Sequence, residues 1–200
     1  MNGNGQTLLI CCGATAREIT VPIDGNGLDY MKVEGSPASM HKRPKFIPER
    51  AHKKIRANQD GFERILVLYS DCRTGGQLQN VLDAEGVQGL NGTHCYEMYA
   101  GATAFAAITE DEVCCFFLTD YLTQHFERLV IQGLSLDRHP ELRDSYFANY
   151  QKVVSLAQRD EPALRDLAAS AAGRLGLDLE IRQTGYGNYR DFISHHARTS

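Results

Sequence analysis

The sequence predicts an α/β fold in which a mostly parallel, Rossmann-like sheet carries helices on both faces. Two observations predict it. Short apolar runs alternate along the chain with stretches whose apolar residues recur at helical spacing, and this alternation is typical of strands and helices joined into a parallel sheet. The composition also fits a compact domain, because 42% of the 200 residues are hydrophobic and 23% are charged.

Three strands are predicted in the N-terminal half. The first covers residues 8–12, and Gly13 separates it from a helix-forming segment. The second covers residues 64–69 and is followed by a helix that stops near Gly86. A weaker third strand covers residues 87–90. Each strand is a short apolar run that ends at a turn, which is the pattern of a strand buried in a parallel sheet.

Residues 22–60 are predicted to be a long loop inserted into this domain, because glycine and proline recur along it. A polar helix is expected within it, from about Pro48 to Asn58. A loop of this length in a compact domain is usually functional or mobile. Its basic run from His41 to Arg56 is interpreted either as a solvated face or as a surface that docks an acidic partner or an anionic substrate.

The C-terminal half is predicted to contain the clearest strand, three helices and a last strand. The strand covers residues 113–118, and Gly176 marks the end of the third helix. The predicted ranges of the remaining elements are 121–133, 140–157 and 162–175 for the helices and 177–181 for the strand. We therefore expect one α/β domain over residues 1–188, followed by a polar tail over residues 189–200.

The charge balance excludes some classes of partner. The chain has 21 Lys and Arg against 25 Asp and Glu, a net charge of −4, whereas a nucleic-acid binder normally carries a clustered basic excess. No apolar run approaches the roughly 18 residues of a membrane span, and the first residues lack the basic region of a secretory signal. We expect a cytoplasmic protein that binds neither nucleic acid nor membrane. The sequence leaves open whether it forms a homo-oligomer.

Three of the six cysteines lie where predicted strands end. Cys12 ends the first strand, Cys72 follows the second and Cys95 follows the third. Since the carboxyl ends of parallel strands meet at one edge of a sheet, where ligands bind in such folds, the three thiols are expected to converge there. The other three cysteines lie inside apolar runs and are expected to pack as inert buried thiols: Cys11, Cys114 and Cys115.

Three converging thiolates suit a soft or borderline metal. One interpretation is a zinc ion whose fourth position is open or filled by histidine, and the other is a 4Fe-4S cluster with one iron open to substrate. Glu97, Asp120 and His125 are the candidate acid–base residues, with His94 as a further candidate ligand or base. Each of them is more often a structural polar residue, and for Asp120 the helix N-cap is the favoured interpretation.

Further residues are candidates for contact with a substrate. The backbone N–H groups of Gly75 and Gly76 either bind an anion or only form part of a tight turn. Arg73 places a cation beside Cys72, and a nearby cation favours the thiolate. Tyr96 and Tyr186 are predicted to contact the same substrate, although Tyr186 lies in a Gly–Tyr–Gly segment that is either a turn or a lid.

Distinctive motifs follow one another along the chain, and they include Cys12-Gly13-Ala14, His41-x-Arg43-Pro44, Asp71-Cys72-x-Thr74-Gly75-Gly76, His94-Cys95-Tyr96-Glu97, Leu118-Thr119-Asp120, Asp137-Arg138-His139-Pro140 and Thr184-Gly185-Tyr186-Gly187. Through these motifs the chain resembles the DUF1638 family over about residues 8 to 188. Cys12, Cys72 and Cys95 occupy motif positions, which supports a common site. Arg73 departs from the family pattern, where glycine is more usual.

The resemblance implies a biochemical context and not a reaction. Members of the family are often encoded near corrinoid-dependent methyltransferases and one-carbon enzymes, so the resemblance implies a substrate of one-carbon or methylated-amine metabolism and a corrinoid or methyltransferase partner. Three hypotheses stay open. The protein is a metal-dependent enzyme acting on a small molecule, a metal-free enzyme with Cys72 as nucleophile and His94 or His125 as base, or a non-catalytic accessory protein for a corrinoid or metal partner.

Overall fold

The computed structural model of the protein describes residues 5–90, 92–111 and 114–197. The predicted α/β class is confirmed, because within these ranges every strand pair is parallel and helices surround the sheets. The strands are β1 (Thr7–Cys12), β2 (Met31–Ser36), β3 (Arg64–Leu68), β4 (Gln88–Gly89), β5 (Cys115–Thr119), β6 (Lys152–Ala157) and β7 (Asp178–Gln183).

The α-helices vary from five to fourteen residues. They are α1 (Ala16–Gly25), α2 (Ile47–Asn58), α3 (Gln77–Glu85), α4 (Cys95–Ala100), α5 (Ala102–Asp111), α6 (Asp120–Gln124), α7 (Leu142–Phe147), α8 (Pro162–Leu175) and α9 (Gly187–Ala197). In the part of the chain that the structure describes, no helix is both long enough and apolar enough to cross a membrane.

The chain divides into two compact units. The first comprises Met1–Met98 and Tyr186–Ser200, and the second comprises Tyr99–Gly185. Each unit has its own parallel sheet, ordered β2-β1-β3-β4 in the first and β5-β6-β7 in the second. Compactness does not decide whether the units fold separately, so a single domain over residues 1–188 stays a prediction.

In the first unit β1 is the central strand, between β2 and β3. Leu8, Leu9, Ile10 and Cys11 are buried on it because helices cover the sheet. One core cluster joins β1 and β3 to the apolar faces of α2 and α3, and its buried members are Leu8, Ile10, Ile47, Ala51, Ile55, Val67, Tyr69, Leu78 and Leu82. The predicted helix within the 22–60 segment is confirmed as α2.

The prediction of a loop throughout the rest of residues 22–60 is wrong, because the segment contains β2. This strand pairs with β1 along its whole length, from Thr7 opposite Met31 to Cys12 opposite Ser36. It lies at the edge of the sheet and mixes buried and exposed positions, so it lacks the apolar run that marks a central strand. β2 forms because it pairs with β1, although its own residues lack the pattern of a buried strand.

The predicted helix over residues 140–157 is also wrong in its second half. The helix α7 ends at Phe147, and Lys152–Ala157 forms β6, the central strand of the second sheet. Val153, Val154 and Leu156 are fully buried, as expected for a strand covered on both faces. Periodicity misled here because a continuous apolar run fits a buried strand and a buried helix equally well.

Two further segments differ from the sequence-based prediction. The expected helix over residues 121–133 begins as α6 and continues as a π-helical turn over Glu127–Ile131 and a 3-10 turn over Gln132–Leu134. The expected polar tail from residue 189 is the helix α9, in which Tyr189 and Ile193 are buried. These two residues are four positions apart and lie on one helix face, and α9 packs against α1 within the first unit.

The remaining predicted elements are confirmed with small changes of boundary. The strand expected at 113–118 is β5, and Val113 lies outside the described residues. The helix α8 ends at Leu175, and Gly176 after it has a φ of +72°, the left-handed conformation that favours glycine after a helix.

Candidate thiol site

The three cysteines that follow strands lie in one cluster in the first unit. Cys12 ends β1, Cys72 follows β3, and Cys95 begins α4 shortly after β4. The Sγ atoms of Cys72 and Cys95 share a hydrogen bond, and Cys12 interacts electrostatically with both thiols. The structure therefore brings the three thiols near one another because β1, β3 and β4 are parallel, and their action as one site stays a prediction.

Cys72 is surrounded by groups that favour its thiolate. The Cys95 thiol, the Ser70 hydroxyl and the Cys95 backbone N–H all hydrogen-bond to its sulfur, and the Ser70 Oγ atom lies 2.8 Å from Sγ. These hydrogen bonds outweigh burial and the nearby charge of Asp71, and they lower the pKa of Cys72 from its usual value near 9 to about 7. A substantial fraction of Cys72 is consequently ionised at neutral pH.

The loop that carries Cys72 has an uncommon backbone conformation. Cys72 has a φ of +46° and Arg73 a φ of +68°, in the left-handed region that side chains disfavour. Hydrogen bonds to the neighbouring loop hold this conformation: the N–H of Asp71 donates to Gly92 O at 2.9 Å and the N–H of Cys72 to Thr93 O at 3.2 Å. Strained residues held in this way concentrate at functional sites, and the φ of Arg73 is one that glycine adopts more readily than arginine.

The Asp71 carboxylate organises the turn after Cys72. It accepts hydrogen bonds from Thr74 Oγ1 at 2.5 Å, from the N–H of Gly76 at 2.9 Å and from the N–H of Gly75 at 3.2 Å. The Thr74 hydroxyl is the main reason that the pKa of Asp71 is lowered. Both glycine amides therefore have an acceptor within the loop, and their contact with a substrate anion stays a prediction.

Cys95 has the opposite protonation preference to Cys72. Its hydrogen bond to Cys72, followed by burial, raises its pKa well above the usual value. The Nδ1 atom of His94 lies 3.6 Å from Cys95 Sγ and accepts a hydrogen bond from the N–H of Tyr96 at 3.3 Å. Cys95 consequently lies between the Cys72 sulfur and His94 Nδ1, in reach of both. Of the two bases predicted for the thiol chemistry, His94 is the one in this unit.

Glu97 stabilises the segment that carries Cys95. Its Oε2 atom accepts hydrogen bonds from the N–H and the hydroxyl of Thr93, both at 2.8 Å. Thr93 also binds Cys72 through its carbonyl, so Glu97 indirectly orders the Cys72 loop. Its predicted role in proton transfer stays a prediction.

The tyrosines predicted to contact a substrate both lie in the first unit. The Tyr96 ring packs against the His94 ring with centroids 4.5 Å apart. Tyr186 is half-buried, directly before α9. Arg73 is exposed beside Cys72. Contact of these side chains with a substrate stays a prediction.

Three residues near the thiols were not singled out from the sequence: Tyr69, Ser70 and Tyr189. Tyr189 is 1% exposed, and its pKa is raised by burial and then by the nearby thiols of Cys95, Cys72 and Cys12. Burial and the adjacent Cys12 likewise raise the pKa of Tyr69. Both phenols thus stay neutral beside the thiols. The place of Ser70 between a strand end and Cys72 is a signal that would have identified it.

Asp120 and His125 lie in the second unit. Asp120 is buried, pairs with Arg159 at 3.1 Å and accepts a hydrogen bond from the N–H of Gln158 at 3.2 Å, and burial raises its pKa. The interpretation of Asp120 as a helix N-cap is wrong, because Thr119 occupies that position and its Oγ1 accepts from the N–H of Leu122. The His125 ring packs against Tyr121. A role for Asp120 or His125 at the thiols stays a prediction.

The donor set of the thiol cluster has the chemistry of a soft-metal site. Among the described residues, no group of three or more His, Cys, Asp or Glu side chains is arranged to hold a metal ion. The zinc ion and the 4Fe-4S cluster therefore stay predictions.

A comparison with protein families matches residues 36–193 to the family described as "Protein of unknown function (DUF1638)". The chain belongs to the DUF1638 family. The matched residues include Cys72 and Cys95 and begin after Cys12, so the part of the resemblance that involves Cys12 lies outside them. Neither the curated proteins nor the solved structures contain a match to this DUF1638 protein. The association with corrinoid-dependent enzymes stays a prediction.

Proposed function

We propose that this DUF1638 protein is an enzyme that acts on a small molecule through the thiolate of Cys72. The observation that carries the proposal is the geometry around the Cys72 sulfur. The Ser70 Oγ atom lies 2.8 Å from it, and the adjacent Cys95 thiol and Cys95 backbone N–H also lower the pKa of Cys72. A thiol that only packs in a core has no such set of donors, whereas a nucleophilic cysteine needs one to ionise near neutral pH.

The proposed step is a nucleophilic displacement. The Cys72 sulfur forms a bond to an electrophilic atom of the substrate while the leaving group departs with the electron pair of the broken bond. The Cys95 thiol stays protonated beside the Cys72 thiolate. It therefore donates this proton to the leaving group. His94 Nδ1, 3.6 Å behind Cys95 Sγ, is the group that would next accept or return a proton.

The other predicted site residues have supporting roles in this proposal. Arg73 and Tyr186 contact the substrate, and Glu97 orders the loops through Thr93. The proposal also includes a substrate from one-carbon or methylated-amine metabolism and a corrinoid or methyltransferase protein as partner. This part rests on the family context alone and not on the geometry of the site.

The second candidate function is metal binding, and a different observation favours it. Three thiols from three strand ends interact with one another in the first unit. Cys12, Cys72 and Cys95 would bind a zinc ion with an open fourth position, or a 4Fe-4S cluster with one open iron. The same site would suit an accessory protein that handles a metal for a partner.

One experiment separates the two candidates. The protein is purified anaerobically, its metal and sulfide contents are measured, and each cysteine's rate of alkylation by iodoacetamide is followed by peptide mass spectrometry near pH 7. We expect Cys72 to react first and chelator treatment to leave its rate unchanged. The variant Cys114→Ala, which removes a thiol of the second unit, is the control and should leave the Cys72 rate unaltered.

Two results would contradict the leading proposal. Equal alkylation rates at all six cysteines would remove the evidence for an activated thiolate. About one zinc per chain, or iron with sulfide, that is lost in the Cys95→Ala variant would instead establish the metal site.

A further inference from the structure

A concave surface lies between the end of β2 and the first two turns of α2. It has a volume of about 600 Å³, within the range of pockets that take small molecules. The residues that line it are Pro37, Ser39, Met40, Arg43, Phe46, Glu49, Arg50 and Lys53. We name this surface the Arg43–Lys53 pocket.

One wall of the Arg43–Lys53 pocket is a single face of α2. Phe46, Glu49, Arg50 and Lys53 follow one another at intervals of three, one and three residues, which places them on one side of a helix that begins at Ile47. The pocket consequently lies at the N-terminal end of a twelve-residue helix, where the backbone dipole adds positive potential.

The charges in the Arg43–Lys53 pocket are mainly positive. Lys53 Nζ pairs with Glu49 at 2.6 Å, which neutralises the one carboxylate in the lining. Arg43 and Arg50 are exposed, and neither forms an ion pair with a residue that the structure describes. Both guanidinium groups are therefore available to an anionic ligand.

The pocket also contains apolar surface. Met40 packs against the core cluster that joins β1, α2 and α3. Phe46 is 42% exposed, although phenylalanine is normally buried, and Lys45 Nζ lies 5.1 Å from the centroid of its ring. An exposed aromatic ring next to unpaired arginines suits a ligand that has both an apolar body and a negative charge.

We infer that the Arg43–Lys53 pocket binds a small organic oxyanion. Its carboxylate or phosphate lies between the guanidinium groups of Arg43 and Arg50, and its apolar body lies on Met40 and Phe46. Arginine suits both groups, since its planar donors form paired hydrogen bonds with carboxylate and with phosphate oxygens.

The pocket adjoins the strand edge that carries the thiol cluster. Pro37, at its rim, follows Ser36, whose carbonyl accepts a hydrogen bond from the N–H of Gly13 at 2.7 Å. Gly13 in turn follows Cys12. The proposed oxyanion site therefore begins at the same end of β1 and β2 as Cys12, yet its ability to bind does not depend on the reactivity of Cys72.

The test is direct binding, measured by calorimetry on the full-length protein. The probes are phenyl phosphate, benzoate and the neutral analogue benzyl alcohol, and the variant is Arg43→Gln/Arg50→Gln. The matched control is Arg128→Gln/Arg190→Gln, because Arg128 and Arg190 are also exposed arginines and form no ion pair among the described residues. Circular dichroism verifies that both variants are folded.

We expect saturable binding of at least one anionic probe, much weaker binding of benzyl alcohol, and a loss of about tenfold or more in affinity in Arg43→Gln/Arg50→Gln only. The tighter of the two anions identifies phosphate or carboxylate as the preferred group. The inference is overturned if neither anion binds, if benzyl alcohol binds equally well, or if the control variant loses as much affinity. Each result is independent of iodoacetamide reactivity, so the proposal for Cys72 is tested separately.

Discussion

The Cys72 and Cys95 sulfur atoms share one hydrogen bond, and this bond moves the pKa values of the two thiols in opposite directions. The pKa of Cys72 falls to about 7 while that of Cys95 rises well above its usual value. The pair therefore carries one proton over a wide pH range, and Cys95 holds it. Neighbouring titratable groups whose pKa values are separated in this way are typical of acid–base and nucleophilic sites.

Removal of the Cys95 thiol should make Cys72 less acidic. In the variant Cys95→Ala the thiolate loses the hydrogen-bond donor that lowers its pKa most, so the pH midpoint of Cys72 alkylation should rise from about 7 towards the value of a free thiol. The measurement is the iodoacetamide rate at Cys72 as a function of pH, with Cys114→Ala as the control. An unchanged midpoint in Cys95→Ala would show that Ser70 and the backbone N–H are enough to lower the pKa of Cys72.

The thiol cluster should make the stability of the protein depend on pH above neutrality. Cys72 loses its proton near pH 7 in the folded state and near pH 9 in the unfolded state, so the unfolded state binds more protons between these values and stability rises with pH there. The gain should be at most about 2–3 kcal/mol. Above pH 9 it should be offset, because Cys12 and Cys95 have raised pKa values and stay protonated only in the folded state.

Urea unfolding between pH 6 and pH 10 measures this dependence, under reducing conditions. The variant Cys72→Ala should lose the rise between pH 7 and pH 9 and keep only the part of the fall at higher pH that burial of Cys12 and Cys95 causes. A rise of equal size in Cys72→Ala would assign the effect to another group.

The variant Arg73→Gly should be more stable than the wild type. Arg73 has a φ of +68°, which costs a side-chain-bearing residue about 1 kcal/mol or more and costs glycine almost nothing. Glycine also has greater conformational freedom in the unfolded chain, which offsets part of this gain in stability. A net gain of about 0.5 kcal/mol is therefore expected. Denaturant unfolding checks it.

The comparison variant for Arg73→Gly is Arg190→Gly, which places glycine inside α9. It should lose about 1 kcal/mol, because glycine is a poor helix former. If Arg73→Gly is destabilised to the same extent, the Arg73 side chain has a contact whose contribution exceeds the backbone strain.

The variant Gly13→Ala should destabilise the edge of the sheet beside Cys12. A Cβ atom at residue 13 would lie 2.8 Å from Ser36 O, and this oxygen is fixed by its hydrogen bond from the N–H of Gly13. Because the clash is with backbone, β1 and β2 must move apart, at a cost of about 1–3 kcal/mol. The midpoint of urea unfolding measures the loss.

The matched control for Gly13→Ala is Gly61→Ala. A Cβ atom at residue 61 would meet only Asn58 O at 3.7 Å, which is an ordinary contact. This variant should stay within about 0.5 kcal/mol of the wild type. Equal losses of stability in the two variants would show that the close approach of residue 13 to Ser36 O is not the cause of the destabilisation.

Local patterns were enough to predict the elements whose signals are contained in short segments. The apolar runs that became β1 and β3, and the stripes and end signals of α2 and α8, identify themselves because burial of one face leaves a periodic pattern in the residues. The convergence of Cys12, Cys72 and Cys95 also followed from the sequence, since parallel strands place their carboxyl ends together whatever the details of packing.

The tertiary structure decided what depends on partners distant in the chain. Residues 152–157 form β6 and not helix because β5 and β7 pair with them on both sides, and β2 forms because β1 offers its edge. Tyr189 comes to the thiols through the docking of α9, over a hundred residues after Cys72 in the chain. Strand pairing and thiol pKa values are set by contacts between segments, and the composition of any one segment does not contain them.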